Sequence, residues 1–104
     1  MKPEERSTEQ LCRHYVTYSY MYYQLDCSVI SDTDFDMYCK ELLKRYNEIS
    51  EYWKRFISKE SLTAGSGFDI NFIELPTRIK VIAYTLKDKI DTCGNEIKME
   101  DWLG

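Results

Sequence analysis

The sequence predicts a mainly all-α protein: an antiparallel helical hairpin with a long second helix, an extended tether and a third covering helix. Three observations carry that expectation. Apolar residues recur at steps of three and four over long stretches, the period of a helix face. Serines stand where helix N-caps are needed, at Ser7 and Ser31. Gly 4 and Pro 2 leave few interruptions in a chain that is 43% hydrophobic and 31% charged. At 104 residues the chain is read as one domain over 1–104, large enough for a single core but not for two.

Residues 1–6 read as a frayed polar tail, followed by a hairpin core over 7–58. Ser7-Thr8-Glu9-Gln10 fits a capping box, with Gln10 reaching back to the cap. Leu11, Tyr15, Tyr18, Tyr22 and Leu25 then mark one face of a first helix, widened by Val16, Tyr20 and Tyr23. Aromatic and β-branched residues are middling helix formers, so packing rather than propensity must hold this helix. Asp26 to Ile30 form the connection, with Val29 and Ile30 turned inward. Ser31 caps the second helix, along which Phe35, Cys39, Leu42, Tyr46, Ile49, Trp53 and Phe56 keep helical spacing. Running over residues 32–58, it spans close to 40 Å at ~1.5 Å per residue. A hairpin with so short a loop is expected to be antiparallel.

Residues 59–75 are the tether. The stretch from Ser58 to Gly67 is rich in serine and glycine and reads as a loop. Phe68, Ile70 and Phe72 alternate with polar residues and read as extended coil laid on the hairpin. Pro76 suits an early helical position. Ile79, Ile82, Leu86 and Ile90 define a third helix over 76–91, expected to cover the overhanging end of the second. Gly94-Asn95 is the stop signal, and in the tail over 92–104 Trp102-Leu103 either pins the chain down or meets a partner.

Composition excludes several function classes. The net charge of -4 argues against a dedicated nucleic-acid binder, which would carry a basic stripe. No apolar run approaches the ~20 residues of a membrane span, and Met-Lys-Pro-Glu-Glu-Arg is not a signal sequence, which points to the cytoplasm. Cys12, Cys27, Cys39 and Cys93 include no Cys-x-x-Cys pair, so free thiols in a reducing compartment are expected rather than zinc ligands. His14 reads as a surface residue, and Lys40, Lys44, Arg45, Lys54 and Arg55 as a solvated face, with contact to a phosphate as the alternative.

The functional signal lies between Tyr20 and Asp36. Five of the nine tyrosines fall between Tyr15 and Tyr23, and Asp32, Asp34 and Asp36 follow one loop later. Acidic residues at a helix start are stabilising by ~0.3–1 kcal/mol each, and three of them exceed what capping requires. Tyr22 and Tyr23 facing Phe35 across an acidic floor would form a notch suited to a flat, cationic or hydroxyl-rich ligand. For Asp32 and Asp36 the competing reading is helix capping and solubility, and for most of the tyrosines it is core filling.

Tyr22-Tyr23, Asp26, Ile30-Ser31-Asp32, Phe35-Asp36 and Glu41-Leu42 resemble the N-terminal helical module of NAD-dependent DNA ligases. That family carries a Tyr-Tyr or Tyr-His pair, then Ile-(Ser/Pro)-Asp-x-Glu-Tyr-Asp, then Glu-Leu. The resemblance covers residues 8–50, and Ser61-Leu62-Thr63 with Gly67 is similar to the family's Ser-Pro-Thr and linker glycine. It implies a module that binds the nicotinamide mononucleotide (NMN) half of NAD and closes it over an adenylation domain. By position it makes Tyr22 and Phe35 the stacking walls. Tyr23 takes the place of the pair's second aromatic, and Asp32 and Asp36 accept hydrogen bonds from ribose hydroxyls or the carboxamide.

The departures bound what the chain does. Phe35 lacks the family's tyrosine hydroxyl, and Asp34 shortens its glutamate. The adenylating lysine motif Lys-x-Asp-Gly does not occur; Lys87-Asp88 is the nearest look-alike and lacks the glycine. Gly65-Ser66-Gly67 is neither a Walker loop nor a dinucleotide fingerprint. The resemblance therefore implies a stand-alone module that binds NAD or NMN, serving a separate ligase adenylation chain in DNA replication or repair, in a bacterial or phage-infected host cell. The alternative is a protein-interaction or inhibitor module of a phage or mobile element, with the hairpin kept and the pocket vestigial. An autonomous NAD-cleaving enzyme fits least, because carboxylates exposed at a helix start titrate near ~4 and lack a partner acid.

Overall fold

A computed structural model describes residues 3–27, 30–67 and 69–93, and within them the chain is all-α. Five α-helices occur in chain order: α1 Thr8–Gln24, α2 Asp32–Lys44, α3 Glu51–Lys54, α4 Lys59–Ala64 and α5 Thr77–Cys93. Short 3₁₀ turns fall at Pro3–Glu5, Tyr46–Glu48 and Phe72–Glu74, and no strand occurs among the described residues. Val29, Phe68, Gly94-Asn95 and Trp102-Leu103, together with the side chain of Ile90, lie outside the described residues.

The organising element is α1. A helix apolar on all sides belongs inside a protein, and from Leu11 to Met21 every side chain of α1 except Arg13 is buried. Two small hydroxyls let it stay there. Thr17 donates to the Arg13 carbonyl at 2.7 Å and Ser19 to the Tyr15 carbonyl at 2.8 Å, so neither enters the core unsatisfied. Ser7 starts the helix with the expected reciprocal box: the Gln10 amide donates to its hydroxyl at 3.2 Å, and its own amide donates to the Gln10 side chain at 3.1 Å. At the other end Asp26 takes a left-handed φ of 51°, and the Cys27 amide returns to the Met21 carbonyl at 3.0 Å. Asp accepts that conformation more readily than most residues.

The long second helix does not form. Periodicity continues across Tyr46, Ile49, Trp53 and Phe56, but the backbone does not. α2 stops at Lys44, a 3₁₀ turn follows, and Ile49 and Ser50 are extended with ψ of 129° and 156°. Ser50 then restarts the helix as an N-cap, its hydroxyl accepting from the Trp53 amide. A serine inside an apolar-periodic run competes for backbone donors and favours a cap over a helix interior. Ile49, Trp53 and Phe56 are all buried nonetheless, so two short helices keep the face that one long helix would have offered.

The tether over 59–75 is corrected too. Ser58 caps α4, accepting from the Ser61 amide at 3.1 Å, and α4 packs on α2. Gly65 closes α4 with a left-handed φ of 70°. Its amide donates to the Leu62 carbonyl at 3.2 Å, and that of Ser66 to the Ser61 carbonyl at 3.0 Å. This is the Schellman pattern that glycine allows. Asp69 accepts from Ser58 at 2.6 Å and from Ser61, folding the chain back over α4. What was expected to be extended coil ends in the Phe72–Glu74 turn.

The third helix, α5, packs along α1 rather than over the far end of the second helix. Ile79, Ala83 and Leu86 go into the core with Ile70 and Leu75, which therefore extends well past residue 58. The segment before α1 is also tied down. Arg45 donates to Glu41 at 2.6 Å, to the Arg6 carbonyl at 2.8 Å and to the Glu4 carbonyl at 2.9 Å, and the Arg6 side chain is buried. Arg45 is thus a clasp and not part of a solvated face. His14 is fully buried, its Nδ1 3.2 Å from the Tyr38 hydroxyl and its ring against Tyr18 and Tyr38.

Candidate functional site

The covering of α1 is incomplete at its C-terminal end. Tyr22 is 58% exposed and Tyr23 41%, one turn beyond the buried Tyr18. A cavity of about 160 Å³ opens here. Tyr18, Ser19, Tyr22 and Tyr23 line it from α1, Asp32 and Phe35 from the first turn of α2, and Ile30 from the junction between them. Gly65 and Ser66, the end of α4, complete the wall.

Each wall has an identifiable support. Ser31 fixes the start of α2 by accepting from the Asp34 amide at 3.1 Å, which sets Asp32 and Phe35 in the first turn. Phe35 stacks on buried Tyr15 at a centroid distance of 5.6 Å and 19° between planes. The Tyr15 hydroxyl donates to the Ser66 carbonyl at 2.7 Å, so one side chain holds both the aromatic wall and the glycine loop. Burial raises the Tyr15 phenol well above its usual range, and it stays a donor. Tyr22 and Tyr23 meet edge to face at 5.0 Å and 83°. Such pairs contribute ~0.5–1.5 kcal/mol beyond area burial.

Four of the five residues singled out from the sequence therefore come together: Tyr22, Tyr23, Asp32 and Phe35. Asp36 does not join them. Its Oδ2 pairs with Lys40 Nζ at 2.8 Å on the outside of α2, and its Oδ1 lies 3.0 Å from where a Cβ on Gly65 would stand. Lys40 has its ammonium pKa raised by that hydrogen bond and by the carboxylate charge. Sequence reasoning missed Tyr18, Ser19, Gly65 and Ser66 as lining residues, and read Ile30 only as an inward-turned residue of the connection. Tyr18 had a signal, since it lies four residues before Tyr22 on the same face. Gly65 and Ser66 had only their turn chemistry, which says nothing about where the turn docks.

The chemistry of the lining is aromatic with a single carboxylate, and no lysine, arginine or histidine lines it among the described residues. No group of three or more His, Cys, Asp or Glu there could hold a metal ion. Beyond the cavity mouth the rings continue. Tyr23 meets Phe72 at 6.0 Å, Phe72 meets Tyr20 at 6.0 Å, and Tyr20 meets Tyr84 at 6.2 Å. Ile73, the residue after Phe72, is 88% exposed. No helix among the described residues is long and apolar enough to cross a membrane. No family model matches the chain, and no curated protein or solved structure does either. The likeness to the ligase module thus rests on the residues quoted for it.

Proposed function

We propose that the cleft between the end of α1 and the start of α2 binds the nicotinamide mononucleotide part of NAD, or NMN itself. The observation that supports this is the convergence of Tyr22, Tyr23, Phe35 and Asp32 on one open cavity, with neither aromatic wall sealed in the core. A pyridinium ring is attracted to aromatic faces by ~0.5–2 kcal/mol, and a carboxylate adds a charge-assisted hydrogen bond to a ribose hydroxyl or amide worth ~1.5–3 kcal/mol. The volume of about 160 Å³ lies below the ~300–1,000 Å³ usual for whole ligands, which favours uptake of a ring over burial of a dinucleotide. The adenylating lysine motif does not occur in these 104 residues, so the role that fits is a cytoplasmic module that presents the nucleotide to an adenylation domain.

Calorimetric titration with NMN and NAD tests the reading. Wild type is expected to bind at millimolar concentration or tighter, with Asp32→Asn weakening it about tenfold or more through the lost charged hydrogen bond. Absence of heat with both ligands sinks it. A second reading has its own support: the exposed band through Tyr22, Tyr23, Phe72, Tyr84 and Ile73 is the kind of apolar surface that meets another protein. Under that reading a protein co-purifies with the chain while both nucleotides leave it unchanged.

A further inference from the structure

Resting on the nicotinamide reading of the cleft, we infer that the site selects its ligand by the positive charge of the ring and is indifferent to the phosphate. Its substrate class is then pyridinium nucleosides and simple N-alkyl pyridinium cations, phosphorylated or not.

The lining carries one formal charge, that of Asp32, and it is negative. Sites built for phosphate present arginine, lysine or a run of backbone amides, and none of the described lining residues is basic. The basic side chain next along α2, Lys40, is taken by Asp36 at 2.8 Å. The α2 N-terminus offers no anion site either, since Ser31 occupies its Asp34 amide and Asp32 and Asp34 occupy its first turn. The ring faces and the Asp32 carboxylate meanwhile act in the same sense, both drawing a cation. A phosphate attached to the sugar meets no cation among the described lining residues, and the net charge of -4 gives the chain no general attraction for it.

The test is titration of the full chain with four probes: 1-methylnicotinamide, neutral nicotinamide, nicotinamide riboside and NMN. The methylated cation is expected to bind about tenfold or more tighter than nicotinamide, a preference that cation–π attraction and a nearby carboxylate together supply. The riboside and NMN are expected to agree within about threefold, both losing affinity as salt is raised and NMN losing less. Asp32→Asn should reduce the preference for the cation. Equal binding of nicotinamide and its methylated cation, or NMN binding about tenfold tighter than the riboside with an advantage that falls as salt rises, overturns the inference and leaves the nicotinamide reading standing. Binding of none of the four at millimolar concentration overturns the reading itself.

Discussion

Substituting Gly67 by alanine tests whether the loop after α4 sits on α1 as described. A methyl at Gly67 would fall 2.3 Å from Ser19 Oγ, 2.7 Å from Ser19 Cβ and 2.9 Å from Ile70 Cδ1. Carbon atoms attract best at about 3.5–4.0 Å, so all three approaches are repulsive. Ser19 cannot swing aside without giving up its bond to the Tyr15 carbonyl in the core. Overpacking of this kind costs about 1–3 kcal/mol, and a lost internal hydrogen bond adds about 1 kcal/mol. Gly67→Ala is therefore expected to destabilise by about 2–4 kcal/mol, each kcal/mol lowering Tm by roughly 4–8 °C at this size. Urea and thermal unfolding followed by far-UV circular dichroism read it. Ser19→Gly removes both colliding serine atoms, at about 1 kcal/mol for a helical glycine. On that background Gly67→Ala should cost less than half as much. A single Gly67→Ala variant within about 0.5 kcal/mol of wild type, the scatter of an unconstrained surface site, would refute the placement of the loop.

Two further outcomes follow from named contacts. Arg45→Met keeps the aliphatic stem but removes the donors to the Arg6 and Glu4 carbonyls, so trypsin should cut after the buried Arg6 faster in the variant, with about 1–3 kcal/mol lost in stability; an unchanged cleavage rate counts against the clasp. Burial pushes the Cys12 and Cys39 thiols up to about 12, with the Glu9 and Asp36 carboxylates adding to the rise. A raised folded pKa favours the protonated form, so this contribution is complete below the ordinary thiol value of 9.0 and fades as pH climbs from there to about 12. Urea midpoints should fall between about pH 9 and 11, the lower part of that window, and fall less steeply in Cys12→Ser/Cys39→Ser; identical slopes would sink the attribution.

The parts that sequence made legible are those governed by neighbours along the chain. Ser7 with Gln10 and Ser31 with Asp34 act within one turn, so their caps follow from residue types alone. Tyr22, Tyr23, Asp32 and Phe35 span a single loop, and their meeting needs only that the first two helices lie side by side. The break at Ser50 was hidden because Ile49, Trp53 and Phe56 stay in helical register on both sides of it. Periodicity reports which side chains are buried and is blind to whether the backbone between them is continuous. His14 was misjudged for a related reason. A lone polar residue on a helix reads as exposed until the ring partners Tyr18 and Tyr38, supplied by tertiary packing, are known.

The cleft owes its existence to how α1 is covered. Burying this helix on all sides takes α2 on one flank and α5 on another, with the Gly65–Gly67 loop reaching α1 through Tyr15 and Ser19. That cover stops after Met21, where the first turn of α2 lines a cavity beside exposed Tyr22 and Tyr23 and does not bury them. Tyr22 and Tyr23 are left standing at a rim whose opposite side is Phe35 and Gly65. Stability and binding are therefore coupled in one direction. Loosening the loop, as Gly67→Ala does, should weaken both, whereas Asp32→Asn touches an exposed carboxylate at the helix start and should weaken binding chiefly, with no more than ~0.3–1 kcal/mol of stability lost. A variant set in which Asp32→Asn lost as much stability as affinity would mean that Asp32 serves the helix start and not a ligand.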